Sequence, residues 1–265
     1  MRVGFIGTGS MGSMLVRAFS RRNDPNLQIV ACNRSREKLD HLVETFPTLE
    51  IAERPQEVAA LCDLTFLCVK PKDARLLLPE LGFTLLPDQH LISINSALTI
   101  QELEGTLSCK VTKIIPSITQ EAASGVILTM FGSRMTDSDR AMMSAFLRMI
   151  GQPFETKEEQ LRICSDITSC GPAFYSFIIQ EFTQAAVRHG QLSPETAQYL
   201  TVEMLQGLID LVKNQNFSTA QVIQRVSVPG GITEAAMQVL RPAVSGMFDD
   251  LFETTKEFQH QHNKH

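Results

Sequence analysis

The first dozen residues constrain the fold of this chain more than any other stretch. Residues 2–7, Arg-Val-Gly-Phe-Ile-Gly, predict a short buried strand. A helix is predicted from Ser10 to Arg21, with Met11, Met14, Leu15, Ala18 and Phe19 at helical spacing. Between them, Gly7-Thr8-Gly9-Ser10-Met11-Gly12 fits G-x-G-x-x-G. Alone the pattern is weak, but directly after a strand and opening a helix it is a dinucleotide fingerprint. Gly7 permits the tight turn, Gly9 lets the backbone approach a pyrophosphate, and Gly12 allows the helix to pack closely on the strand. The N–H groups of the first helical turn, aided by the helix dipole, then hold the phosphates.

The alternation continues. Further strands are predicted at 27–32, 64–69, 91–94, 111–115 and 126–130, and helices at 36–46, 55–61 and 137–150. The apolar runs are too unbroken for a half-exposed antiparallel sheet, so they predict a parallel sheet with helices on both faces. After about Thr156 no strand pattern stands out. Helices are predicted at 171–189, with Gly190 as the C-terminal cap, and at 194–213. Another starts at 218, a fourth follows the Pro229-Gly230-Gly231 break through Met237, and the last covers 242–258. The expected class is therefore α/β: an N-terminal Rossmann doubly wound sheet over residues 1–156, followed by an all-helical dimerisation and substrate domain over 157–265. The helices of the second domain are apolar over wide faces, which predicts a homodimer formed through them.

Composition removes other classes. A formal net charge of −5 argues against a non-specific nucleic-acid binder. No segment approaches the ~18 consecutive apolar residues of a membrane span. The 6 cysteines form no C-x-x-C pair and no zinc-ligand spacing with a histidine, so they read as buried reduced thiols rather than a metal site. With no signal-peptide pattern before the first strand, the expected location is cytoplasmic. His189 at a helix end, and His260, His262 and His265 in a polar tail that starts at Gln259, read as solvated.

A second cofactor signal lies after the second strand. An NAD site usually carries a carboxylate there for the ribose 2′-hydroxyl. This chain has Asn33-Arg34-Ser35-Arg36 instead. Arg34 and Ser35 can bind a 2′-phosphate, Arg36 can assist, and Asn33 can hydrogen-bond the ribose. NADPH is thus favoured, with NADH the lesser alternative. Val69-Lys70-Pro71 closes the 64–69 strand, and in a doubly wound sheet ligands sit beyond that end of the strands. These three residues join the cofactor set.

The glycine loop, Asn33-Arg34-Ser35, Val69-Lys70-Pro71, the helical second half and Val226-Ser227-Val228-Pro229-Gly230-Gly231-Ile232-Thr233 occur in the order of the pyrroline-5-carboxylate reductase family. The chain resembles that family over essentially its whole length. The Pro-Gly-Gly-x-Thr element is the more specific match, and Gly171-Pro172-Ala173-Phe174 resembles another family segment. The divergence resembles a branch encoded with late-competence proteins in spore-forming bacteria. The resemblance implies NADPH-dependent reduction of the cyclic imine 1-pyrroline-5-carboxylate to L-proline, in proline biosynthesis. It also implies interlocked dimers, some assembled into larger rings, with each active site between a nucleotide domain and helices of the dimer. Thr233 would hydrogen-bond the imine nitrogen as the catalytic residue. Gly230, Gly231, Ile232 and Thr233 would bind the imino-acid substrate, with N–H groups at the helix start holding its carboxylate.

Four departures stand out. Val228 replaces a family serine that helps bind the substrate carboxylate, Ser169-Cys170 replaces Gly-Ser, and Ile115-Pro116-Ser117 replaces Met-Pro-Asn. Gln224 and Arg225 stand where the family has acidic residues. They keep open a catalytically weak or inactive nucleotide-binding regulator on the same fold, with a competence-related role. A β-hydroxyacid dehydrogenase is the third reading. It would need a catalytic lysine in the second domain, where Lys213, Lys256 and Lys264 are poorly placed.

Overall fold

The computed structural model describes residues 1–262 and separates into two compact units, Met1–Pro172 and the helical remainder from Ala173. The first unit alternates strand and helix: β1 (Arg2–Ile6), α1 (Ser10–Ser20), β2 (Gln28–Cys32), α2 (Glu37–Thr45), β3 (Glu50–Ile51), α3 (Pro55–Leu61), β4 (Leu64–Leu67), α4 (Pro71–Thr84), β5 (His90–Ser93), α5 (Ile100–Thr106), β6 (Lys110–Ile115), β7 (Val126–Phe131), α6 (Asp137–Leu147), β8 (Gln152–Glu155) and α7 (Leu161–Ser165). The strands form one 8-stranded sheet in the order β3-β2-β1-β4-β5-β6-β7-β8.

Successive side chains of a strand point to opposite faces, and each face carries its own helices. On one face Val3, Phe5, Leu64 and Phe66 pack with Met14, Leu15 and Phe19 of α1 and Phe146 of α6. On the other, Ile6, Val30 and Leu67 pack with Val58 of α3 and Leu78 and Leu81 of α4. The first face is built around aromatic rings. Phe66 stacks on Phe5 at 4.7 Å between centroids, and Phe19 stacks on Phe146 at 4.6 Å.

Every strand pairing is parallel except β6 with β7, where the expected all-parallel arrangement fails. A parallel return needs a crossover of about a dozen residues or more. Residues 116–125 hold only a 3-10 turn, Ile118–Ala122, capped by Ser117 and closed by Ala123 and Gly125 at φ 50° and 78°. The chain therefore doubles back. β8 has no apolar run to announce it. It is a mostly exposed edge strand containing Pro153, a residue that edges tolerate.

Residues 157–172, expected in the second domain, pack with the first unit. Leu161 is buried against Ile115, Leu128 and Met130, and Ser169 Oγ donates to the Pro116 carbonyl at 3.0 Å. A π-helical turn, Asp166–Cys170, leads into the next helix.

The second unit contains α8 (Gly171–Gly190), which begins just before it, α9 (Pro194–Asn214), α10 (Thr219–Val226), α11 (Ile232–Val244) and α12 (Met247–His262). Gly190 ends α8 as a helical residue, and Gln191 at φ 53° takes the left-handed position expected of it. Pro242 lies near the end of α11 rather than opening the last helix, because Gly246, at φ 82°, makes the break. α12 continues through Gln259, where a frayed tail was expected. His265 and the side chains of His260 and His262 lie outside the described residues.

Among the described residues from Ala173 onward, only Ala197 and Thr201 are buried. Phe177, Phe182, Tyr199 and Ile209 are each more than half exposed. By itself this unit has no core of its own.

The aromatic cluster gives the first unit a sharp stability dependence. Phe66→Ala should destabilise it by about 3–5 kcal/mol, measured as a shift in the denaturant midpoint of the near-ultraviolet signal.

Candidate functional site

The sheet order reverses beside β1, with β2 on one side and β4 on the other. Chains leaving the carboxyl ends of such strands diverge to opposite faces and open a crevice. A crevice of about 690 Å³ lies there, bordered by Gly7, Gly9, Asn33, Arg34, Ser35, Val69 and Lys70. Three segments distant in sequence thus meet at one place.

The glycines are needed for distinct reasons. Gly7 sits at φ +96°, and a Cβ there would come within 2.8 Å of the Cys68 carbonyl oxygen. At Gly12 a Cβ would lie 2.1 Å from the Gly7 carbonyl oxygen, so α1 could not approach β1. Gly9 faces open space, with no atom within 4 Å of where its Cβ would be. That space suits a pyrophosphate. Gly12 is buried, whereas Ser10 and Met11 open α1 at the surface and half-buried; none of the three borders the crevice.

The loop is braced from β2. Asn33 Oδ1 accepts from the Thr8 amide at 3.0 Å, and Asn33 Nδ2 donates to the Ser35 carbonyl at 2.9 Å. Asn33 is therefore a positioning residue, fixing loop and turn together. The Thr8 side chain is 1% exposed, yet its hydroxyl has no partner within the chain. Orphaned buried hydroxyls are uncommon, and a bound group such as a phosphate satisfies one. Open space at Gly9 and this unpaired hydroxyl fit a dinucleotide.

The charges around the crevice differ from the sequence reading in two ways. Arg36 is engaged by Asp40 at 3.0 Å and does not border it. Lys38 does border it, although sequence reasoning passed over it. The available signal was a cation in the first turn of α2, where the helix dipole disfavours one. Lys70 caps α4 and Pro71 is its first residue, a placement that suits proline's missing N–H. Glu53 and Asp73 also border the crevice and add negative charge to the same lining as Arg34, Lys38 and Lys70.

The chain is similar to known proteins. A family model for pyrroline-5-carboxylate reductase dimerisation matches residues 158–261, and one for coenzyme F420-dependent NADP oxidoreductases matches residues 2–97. The ComE operon protein 4 of Bacillus subtilis is 35% identical over 257 residues, covering 96% of this chain and 94% of that protein. The chain belongs to the pyrroline-5-carboxylate reductase family. Pyrroline-5-carboxylate reductase 3 of Bacillus subtilis is 27% identical over 96% of this chain and 94% of its own length. The NADP-bound crystal structure of Plasmodium falciparum pyrroline carboxylate reductase superposes with a TM-score of 0.84 at 24% identity, covering 100% of this chain and 97% of that one. At that identity the likeness shows the fold.

The family element 226–233 lies in the second unit. Gly230, at φ +75°, turns the chain, Gly231 is the N-cap of α11, and Ile232 and Thr233 are its first residues. Ile232 is 92% exposed, and Val228 is also exposed. Gly231 supplies no side-chain cap, and no hydrogen bond involves the half-buried Thr233 hydroxyl. Thr233 therefore does not cap the helix.

Ser117 and Cys170, which depart from the family pattern, have local partners in the first unit. Ser117 is buried and forms a capping box with Gln120. Cys170 Sγ lies 3.4 Å from Arg162 Nη2, and Arg162 also pairs with buried Asp166 at 2.5 Å. The 6 cysteines are all free, though only Cys32, Cys62 and Cys109 are buried. Exposed His189 lies at the end of α8. Among the described residues no group of three or more histidines, cysteines and acids could hold a metal, and no helix is long and apolar enough to cross a membrane.

Arg34→Ala and Lys38→Ala should each weaken NADPH binding by about ten- to a hundredfold, the loss of one charge-assisted hydrogen bond, with little effect on NADH. Calorimetric titration with both dinucleotides checks this. Equal losses for the two would place these side chains away from the 2′-phosphate.

Proposed function

We propose that the chain is an NADPH-dependent reductase of a five-membered cyclic imine, the class to which 1-pyrroline-5-carboxylate belongs, giving L-proline from that substrate. The observation that carries this reading is the Thr233 hydroxyl, which has no structural partner at the start of α11. A nicotinamide dinucleotide held in the crevice would supply the hydride for the imine carbon, and the nitrogen, taking the C=N π pair and a proton, would become the ring amine. Thr233 donates a hydrogen bond to that nitrogen and stabilises the charge shift, and the proton comes finally from solvent. Donors aimed where charge changes are worth most when they need no reorganisation. A hydroxyl at the rigid start of a helix meets that condition.

On the cofactor side, Arg34, Ser35 and Lys38 hold the 2′-phosphate, the amides after Gly9 hold the pyrophosphate, and Thr8 gains its missing partner. Val69, Lys70 and Pro71 flank the cofactor from the β4 end. The α8–α12 unit covers its apolar faces with those of a second copy, giving a homodimer able to build larger rings. The protein works in the cytoplasm, in proline biosynthesis, with the helices from Ala173 onward contributing both the subunit contact and the substrate loop.

Adding 1-pyrroline-5-carboxylate should accelerate NADPH oxidation by the purified protein, and Thr233→Ala should lower the rate by about a hundredfold. No turnover beside tight NADPH binding would favour a nucleotide-binding regulator on the same fold. In sedimentation the protein should run as a dimer or a multiple of it, and Phe182→Glu on α8 should shift it toward monomer.

A further inference from the structure

The apolar run of β6 is broken by a charge. Lys113 shares one face of the strand with Val111 and Ile115, and only 1% of it is exposed. A buried ammonium is costly unless it is paired and hydrogen-bonded. Lys113 Nζ donates to the Ser96 carbonyl at 3.0 Å, and Glu158 Oε1 lies 3.8 Å away. Burial holds the lysine pKa below its ordinary value, with Glu158 and Glu102 opposing that shift.

Ser96 belongs to residues 94–99, the connection that leaves the carboxyl end of β5. This loop is held from three sides. Besides the Lys113 contact, Arg75 Nη2 of α4 donates to the Ala97 carbonyl at 3.3 Å, and Asn95 Nδ2 donates to the Val69 carbonyl at 3.4 Å. Val69 borders the crevice, so the loop adjoins it at the ends of β4 and β5. A dinucleotide lies across a switch point with one mononucleotide on each half of the sheet. Arg34 and Ser35 assign the 2′-phosphate, and so the adenosine, to the β2 side. The nicotinamide half then falls to the ends of β4 and β5. We infer that Lys113 is a positioning residue for the nicotinamide half of the cofactor, fixing the 94–99 loop through the Ser96 carbonyl. The inference rests on the cofactor placement proposed above and not on the reduction.

Packing does not account for this charge. A methionine would fill the space without the desolvation cost, and a buried ion pair often adds no stability over an apolar replacement. The Glu158 side chain is 44% exposed, so removing Lys113 leaves no buried carboxylate unpaired. What a methionine cannot do is hold the Ser96 carbonyl. The contribution of the cation is therefore to place the loop.

A fragment of the cofactor separates positioning from general damage. 2′,5′-ADP carries the adenosine half with its 2′-phosphate and lacks the nicotinamide. In the full-length protein, Lys113→Met should weaken NADPH binding by about tenfold in calorimetry and leave 2′,5′-ADP binding unchanged. At saturating NADPH the variant should also lose most of the rise in nicotinamide fluorescence that accompanies binding to the wild type. Glu158→Gln removes the facing charge and keeps an acceptor for the Ile100 amide. It should weaken NADPH binding selectively by about threefold, and it decides the matter if the thermal midpoint shows that Lys113→Met does not fold. Equal losses for both ligands would mark a purely structural role and overturn the assignment, as would unchanged NADPH binding in a folded variant. A wild type that binds NADPH but not 2′,5′-ADP would overturn the placement of the adenosine half, and this inference with it.

Discussion

The close approach of α1 to the carboxyl end of β1 is the contact on which the nucleotide-binding unit depends. Gly12 has no side chain because the Gly7 carbonyl occupies the place where one would begin. Any larger residue would lift α1 from the sheet and carry the first-turn amides away with it. The same strand is central in topology, so β2 and β4 end on either side of the loop it feeds. Their turns supply Asn33 to Ser35 and Val69 to Lys70. The Asn33 amide then ties one turn to the loop, fixing the distance between the pyrophosphate position and the arginine that follows. The geometry of the loop is a consequence of packing: its amides are backbone groups whose positions the fold sets.

Features of the first unit that were legible in the sequence are those written in buried residues. Strands β1, β2, β4, β5, β6 and β7 are apolar runs, and the glycines of the loop each answer a steric demand. What escaped notice is written in exposed or mixed residues. β8 pairs at the sheet edge and buries little, so no periodicity marks it. α4 presents apolar Leu76 and Phe83 to solvent and carries Pro79 inside the helix, which blurs its pattern. The reversal at β7 depends on the length and caps of a turn rather than on strand composition. In the site, the sequence assigns Arg34 to the 2′-phosphate and leaves Arg36 able to assist. Only the fold shows that Asp40 engages Arg36 and that Lys38, two residues on, borders the crevice.

The second unit follows a different logic. Its helices are well capped, as at Ser193 and Ser218, so each is locally well specified. Yet nearly all of its apolar surface faces outward, and internal contacts such as Thr183 with Thr201 and Tyr175 with Phe248 are few and small. Burying an aliphatic or aromatic side chain is worth roughly 1.5–3 kcal/mol. A unit that leaves Phe177, Phe182 and Tyr199 in water gains most of its stability only when another surface covers them. Because the 226–233 loop is carried by these same helices, the rigidity of the Thr233 position and the covering of the apolar faces are linked.

Which polar groups have been used by the protein itself, and which have not, distinguishes the loop after β1 from the start of α11. On the nucleotide side the chain leaves a buried hydroxyl at Thr8 unsatisfied, a cost of about 1–3 kcal/mol. At the start of α11 the Thr233 hydroxyl is likewise unspent. The neighbouring Gly230 amide, however, is already satisfied by Glu234. Ser117, a departure from the family pattern, is also consumed locally, capping a turn. The start of α11 thus has one polar group engaged, Glu234, and one open, Thr233, as the loop after β1 has with Asn33 and Thr8.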